Sequence, residues 1–254
     1  MSFRVHRIGR AVLCTGAVPR LGLHTPHAVT LCVAGEGGEV LVRFAFDSRW
    51  HSCAAAILAP GLAHELDGRG AACTLFLGPE TYDGRRFPRS SMLLHAAPPL
   101  PPASAPRLLA RAMVEQYAAA PLPRLLDPRI RQALRLLRDA GGRRIPLPEL
   151  ASAVALSPSR LAHLFHEQTR STIKRSTLWF RLLSAVEAMH DAASLAEVAY
   201  RVGFADPAHL SRTCRTMLGI NPSELMRTLA GRHHDSISVH DDDRWVQPRS
   251  AGQP

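Results

Sequence analysis

The C-terminal half of the chain writes one helical pattern twice. Leu147, Leu150, Ala151 and Val154 precede Ser157-Pro158, and Leu161, Leu164 and Phe165 follow. The second copy carries Leu195, Val198, Ala199 and Val202, then Asp206-Pro207, then Leu210, Thr213 and Cys214. Each copy places apolar residues at i, i+3, i+4 and i+7, breaks briefly, and restarts behind a capping residue and a proline. That spacing predicts helix, tight turn, helix, twice over. Few folds other than a pair of small helical units accommodate it.

The start signals agree. Ser157 and Asp206 are side-chain acceptors suited to cap a helix, and the prolines behind them occupy the first helical position, where no N–H donor is needed. Ser194 and Glu197 make a capping box. Asp127-Pro128 opens an earlier helix that stops at Gly141-Gly142, and Asn221-Pro222 opens a last one. Between the units, residues from about Thr172 to His190 form a connecting helix of roughly 28 Å. That approaches the roughly 34 Å repeat of B-form DNA, so two exposed helices could enter successive major grooves.

Charge supports this. The chain holds 31 Lys and Arg against 21 Asp and Glu. Residues 124–232 account for 17 of the cations and 9 of the anions, so most of the excess lies in the repeat region, as a phosphate-binding surface requires. Lys174 is the single lysine, and a genome rich in G and C would also inflate arginine use.

Residues 127–230 resemble the DNA-binding domain of AraC/XylS-type bacterial transcription regulators. The resemblance is carried by Leu150-Ala151, Leu156-Ser157-Pro158-Ser159-Arg160-Leu161, Leu164-Phe165, Arg181-Leu182 and Ala185. It continues through Ala199, Val202-Gly203-Phe204-Ala205-Asp206, Ser211-Arg212, Gly219-Ile220-Asn221-Pro222-Ser223 and Arg227. It implies a sequence-specific DNA-binding regulator, with Ser159, Ala162 and His163 facing bases from the first recognition helix and Ala208, Ser211 and Arg212 from the second. Arg160, Lys174, Arg175 and Arg215 are the expected phosphate contacts. Double-stranded DNA is the implied partner, with RNA polymerase and a second copy of the chain as further candidates. Arg170 and Ala155 stand where the family usually has glycine, and Leu210 and Cys214 where it usually has aromatics.

Residues 1–97 read differently. Short runs at Ala28–Val33, Val40–Phe46, Ala54–Leu58 and Cys73–Leu77, separated by Gly, Pro and Asp turns, predict a small antiparallel barrel or sandwich. The expected fold class is therefore α+β multidomain: an N-terminal β-barrel followed by an all-α domain with two helix-turn-helix units. The proline-rich stretch from Pro98 to Pro106 predicts a stiff linker, with a helix over Arg107–Ala119 completing the 98–126 segment. The polar residues 231–254 predict a disordered tail.

The N-terminal part resembles, more weakly, the cupin-like sensor domains of such regulators, on His24, His27, the run Ala54–Ala59 and Pro60-Gly61-Leu62-Ala63-His64. That implies a small-molecule effector, with His24, His27 and His64 lining or rimming its pocket. A metal is disfavoured: two residues rather than one separate His24 and His27, and Val29-Thr30-Leu31-Cys32 lacks the glutamate a metal-binding cupin carries. Phe44, Phe46, Trp50 and Phe76 are expected in the core. The five cysteines are scattered with no Cys-x-x-Cys pair, which predicts reduced, buried thiols without disulfide or zinc.

No nucleophile elbow, phosphate loop or paired carboxylates appear, so neither catalysis nor a cofactor is expected. No stretch suits a signal peptide or membrane span, which predicts a cytoplasmic protein. The competing readings are a metal-dependent cupin enzyme with a helical appendage, which stoichiometric metal would favour, and a helical module that binds protein.

Overall fold

The computed structural model describes residues 3–69, 72–81, 85, 87, 90–96, 100, 106–118 and 126–229. The tail from residue 231 and most of the proline-rich stretch lie outside them. Ten strands come first: β1 Arg4–Ile8, β2 Ala11–Gly16, β3 Leu21–His24, β4 Val29–Ala34, β5 Glu39–Phe44, β6 His51–Cys53, β7 Ala55–Leu58, β8 His64–Arg69, β9 Ala72–Leu77 and β10 Met92–Leu94. They form two antiparallel sheets, one in the order β1-β2-β9-β4-β7-β10 and one in the order β3-β8-β5-β6.

Alternation explains the layering. On the inner face of the larger sheet, Val12, Phe76, Thr30 and Leu58 lie in register across four strands. They pack toward Val40, Val42 and Leu66 of the smaller sheet. The residues between them make a second row, Leu13, Leu75, Leu31 and Ile57, on the opposite face. That outer row is covered by α1, Pro106–Tyr117, through Ala110, Met113, Val114 and Tyr117. Burial on both faces accounts for the unbroken apolar stretches of β2, β4 and β7, which carry no polar alternation.

Two aromatic expectations fail. Phe76 is fully buried, but Phe46 is 78 % exposed and stacks on Phe44, itself only partly buried. Trp50 is half-buried and flanked by the guanidinium groups of Arg20 and Arg43, both of which bind Glu65. These rings lie on or just past β5. All five cysteines are free and four are buried, and burial pushes the Cys32 thiol up to about 12.

Helices follow: α2 Pro128–Asp139, α3 Leu147–Ala153, α4 Pro158–Thr169, α5 Ile173–Ala188, α6 Leu195–Arg201, α7 Pro207–Leu218 and α8 Pro222–Leu229. Their core is contiguous with the inter-sheet core, centred on Trp179, Phe165, Leu182 and Val186. The loop between β3 and β4 joins the halves. Thr25 N–H donates to the Thr216 carbonyl near the end of α7 (3.0 Å), and the Pro26 carbonyl accepts from Arg175 at the start of α5 (3.3 Å). The His27 ring meets the Ser171 hydroxyl between α4 and α5 (3.4 Å). One three-residue segment thus touches both helical repeats.

Candidate DNA interface

The two repeats close their turns by the same backbone bonds. Leu156 N–H donates to the Ala151 carbonyl in the first (3.0 Å), and Phe204 N–H to the Ala199 carbonyl in the second (2.9 Å). Each turn needs one left-handed residue, Ala155 with φ 53° in the first and Gly203 with φ 77° in the second. The second helices begin under side-chain caps: Ser157 Oγ accepts from Arg160 N–H (3.2 Å), and Asp206 Oδ1 from His209 N–H (2.6 Å). A proline follows each cap. They end alike too, on left-handed Arg170 (φ 59°) and Gly219 (φ 71°). The repeat is therefore structural as well as sequential, and the caps fix where each second helix points.

What those helices present follows from which side chains they bury. Leu161, Leu164 and Phe165 of α4 and Leu210, Thr213 and Cys214 of α7 turn inward. Ser159, Ala162 and His163 are left exposed on α4, and Ala208 and Arg212 on α7, with Ser211 half-buried. His163 sits 4.0 Å from Glu167 one turn along. Arg212 makes no ion pair or side-chain hydrogen bond among the described residues. Arg160, Lys174, Arg175 and Arg215 are exposed, although Arg175 is partly committed to the Pro26 carbonyl. The connecting helix α5 has 16 residues, slightly shorter than the sequence suggests, or roughly 24 Å. Trp179, Leu182, Leu183 and Val186 anchor it in the core.

The three sheet-domain histidines are all buried but do not converge. His24 and His64 face each other across β3 and β8, ring centroids 4.4 Å apart. Their Nδ1–H groups donate to the carbonyls of Gly22 and Leu62 (2.8 Å each), and neither Nε2 has a hydrogen-bond partner. Desolvation pushes both below the usual imidazole range, His64 to about 3, with neighbouring His24 adding to the effect. His27 turns instead to Glu80, its Nε2 3.1 Å from Oε2. Both of those side chains are almost wholly buried. Sequence reading missed Glu80 because it is 53 positions away and follows an unremarkable Gly-Pro turn. Among the described residues, no group of three or more His, Cys, Asp or Glu is placed to hold a metal ion.

Residues 150–228 match the family model of a helix-turn-helix domain. Over 87 residues the chain is 33 % identical to the transcriptional activator RhrA of Rhizobium meliloti (strain 1021). It is also 33 % identical over 101 residues to a putative AraC-like transcription regulator of Streptomyces antibioticus. The helical half contains a helix-turn-helix domain similar to part of an AraC-like transcription regulator. The matched parts are 33 % and 39 % of this chain but only 27 % and 33 % of those proteins, so the AraC-type likeness concerns this domain alone. At the level of fold it extends further. ToxT from Vibrio cholerae strain SCE256, 9 % identical with a TM-score of 0.55, covers 88 % of the chain and 99 % of its own. A sheet-rich half preceding a helical half is thus a shared architecture. Among the described residues, no helix is long and apolar enough to cross a membrane.

Proposed function

We propose that the protein is a sequence-specific DNA-binding transcription regulator whose N-terminal sheet domain answers to a small-molecule effector. The observation that carries this reading is the pair of identically capped second helices, each with a polar or small-residue face in solvent, joined through one buried helix. In this reading Ser159, Ala162, His163, Ala208, Ser211 and Arg212 meet base edges, while Arg160, Lys174, Arg175 and Arg215 meet phosphates. Arg212 is the discriminating residue, because its fork can donate to O6 and N7 of one guanine. Ala162 and Ala208 offer only methyl contacts, which suit thymine methyls and groove shape.

For the effector, His24 and His64 supply two buried acceptor nitrogens without partners; ToxT, with the same overall fold, is known with an unsaturated fatty acid bound. RNA polymerase and a second copy of the chain complete the proposed partners, and the cytoplasm is the compartment where that machinery is met.

Selection of bound fragments from random duplex DNA tests the proposal. The expected product is a site with two short conserved blocks separated by about one helical turn, roughly 10 base pairs between centres. Failure to enrich any sequence, with binding equally strong on all duplexes, would remove the specificity claim. Metal analysis of the purified protein separates this reading from a cupin enzyme, which stoichiometric iron, manganese or zinc would favour.

A further inference from the structure

Between the two helix-turn-helix units lies a cavity of about 660 Å³, within the range of small-molecule sites. Ala162 of α4 lines one side and His209 of α7 another, so the cavity separates the two recognition helices. Its walls are mostly aliphatic, from Ile145, Leu147, Ile173 and Leu178. Leu147 is 37 % exposed. Aliphatic surface gives phosphate oxygens nothing to bond, so this hollow is ill suited to the DNA backbone that must pass near it. Three cations also line it, Arg144, Lys174 and Arg181, and among the described residues no acidic side chain does. Arg181 is fixed: Nε and Nη2 donate to the Gly142 carbonyl (2.8 and 2.5 Å), and its guanidinium lies over the Phe204 ring. Arg144 and Lys174 are exposed and able to adjust.

We infer that this cavity is a ligand site for an apolar organic anion, a compact ring system or chain bearing one carboxylate or sulfonate, and that its occupant excludes DNA. The apolar part fills the aliphatic hollow and the head group meets Arg144 and Lys174. Exclusion follows from position and rests on the DNA-binding reading above: a molecule seated between α4 and α7 stands where the duplex crosses from one groove to the next, and it claims Lys174. The site is separate from any effector site in the sheet domain and acts directly on the DNA-binding half.

The test uses the full chain and the fluorescent anion 8-anilinonaphthalene-1-sulfonate, with N-phenyl-1-naphthylamine as its uncharged counterpart. The anion is expected to bind at one equivalent and at least ten-fold more tightly than the uncharged molecule. Thr177→Phe, which fills the cavity, is expected to weaken it at least ten-fold while circular dichroism and thermal unfolding match the parent. Ile145→Gln serves the same purpose should Thr177→Phe fail to fold. At ten times its dissociation constant the anion should weaken binding to the selected duplex about ten-fold, as competition requires. Equal affinity for both probes overturns the anionic class, and unchanged affinity in folded Thr177→Phe or Ile145→Gln overturns the location. Undiminished DNA binding by the saturated protein overturns exclusion. A chain that binds the anion as expected but binds no DNA would sink the proposed function and the exclusion while upholding the ligand site.

Discussion

Arg212 and Ala155 show how much one position in a repeat can decide. Arg212 stands on the exposed face of α7 with no side-chain partner among the described residues, which leaves its fork available for the base contact proposed above. Arg212→Ala should weaken binding to the specific site by about 1–3 kcal/mol while leaving nonspecific duplex almost untouched. Gel-shift titration on matched and scrambled DNA reads this, and equal losses on both would make Arg212 a phosphate contact. Ala155 carries a different burden. Its φ of 53° belongs to the left-handed region, where a Cβ crowds the following carbonyl. The second unit solves the same turn with Gly203. Ala155→Gly should therefore stabilise the protein by about 1 kcal/mol, net of the extra freedom glycine has when unfolded. A urea midpoint that falls would mean the turn is not strained at that residue.

At the scale of elements, the loop joining β3 and β4 ties a sheet to two helical units through Thr25, Pro26 and His27. Its anchor is the buried His27–Glu80 contact, and Glu80 Oε1 has no hydrogen-bond partner even with that contact intact. His27→Ala would leave the buried Glu80 side chain without its hydrogen-bond partner, which should cost about 1–3 kcal/mol. Urea unfolding measures it; a loss below about 1 kcal/mol would show that the pair does not hold the loop. This element also marks the limit of what the sequence discloses. Caps and prolines announce α2, α4, α7 and α8 because helix ends are local, set by residues three or four positions apart. The strand runs at β4, β5, β7 and β9 were legible as short apolar runs between Gly, Pro and Asp turns, whereas β3 and β8, with Gly22 and with His64-Glu65 and Asp67-Gly68, look like turns. Sheet partners at large separation supply their hydrogen bonds. The same distance hides Glu80 from His27, and hides the sheet's contact with α7. The exposed faces of α4 and α7 were legible from period alone; the hollow between them was not, since it is made by segments scattered from Arg144 to His209.

Across the whole molecule, the halves share one continuous core, and acid should act on both through the same buried imidazoles. His24 and His64 face each other inside the sheet domain, and His24 also stands against the end of α7: a Cβ added at Gly219 would come within 2.9 Å of its Nδ1. Burial disfavours the charged form of both, and His24 adds to the effect on His64, so the unfolded chain binds protons more readily than the folded one. The sign follows. A base with a depressed folded value leaves stability intact above its ordinary value near 6.5 and subtracts from it as the pH falls below. For His64 the loss continues down to about 3, where the folded protein also takes up the proton. Urea midpoints should thus stay level above pH 7 and decline through pH 6, 5 and 4. Carboxylates in native ion pairs, Asp127 beside Arg129 among them, add to the decline only near the acid end, since Asp127 is held down to about 2. His64→Phe removes a titrating ring while keeping an aromatic of similar breadth, so it should flatten the decline from about pH 6.5 downward, read most cleanly between pH 6.5 and 5, before the carboxylates contribute. Identical slopes for the two proteins between pH 6.5 and 5 would exclude this imidazole pair as the source of acid sensitivity.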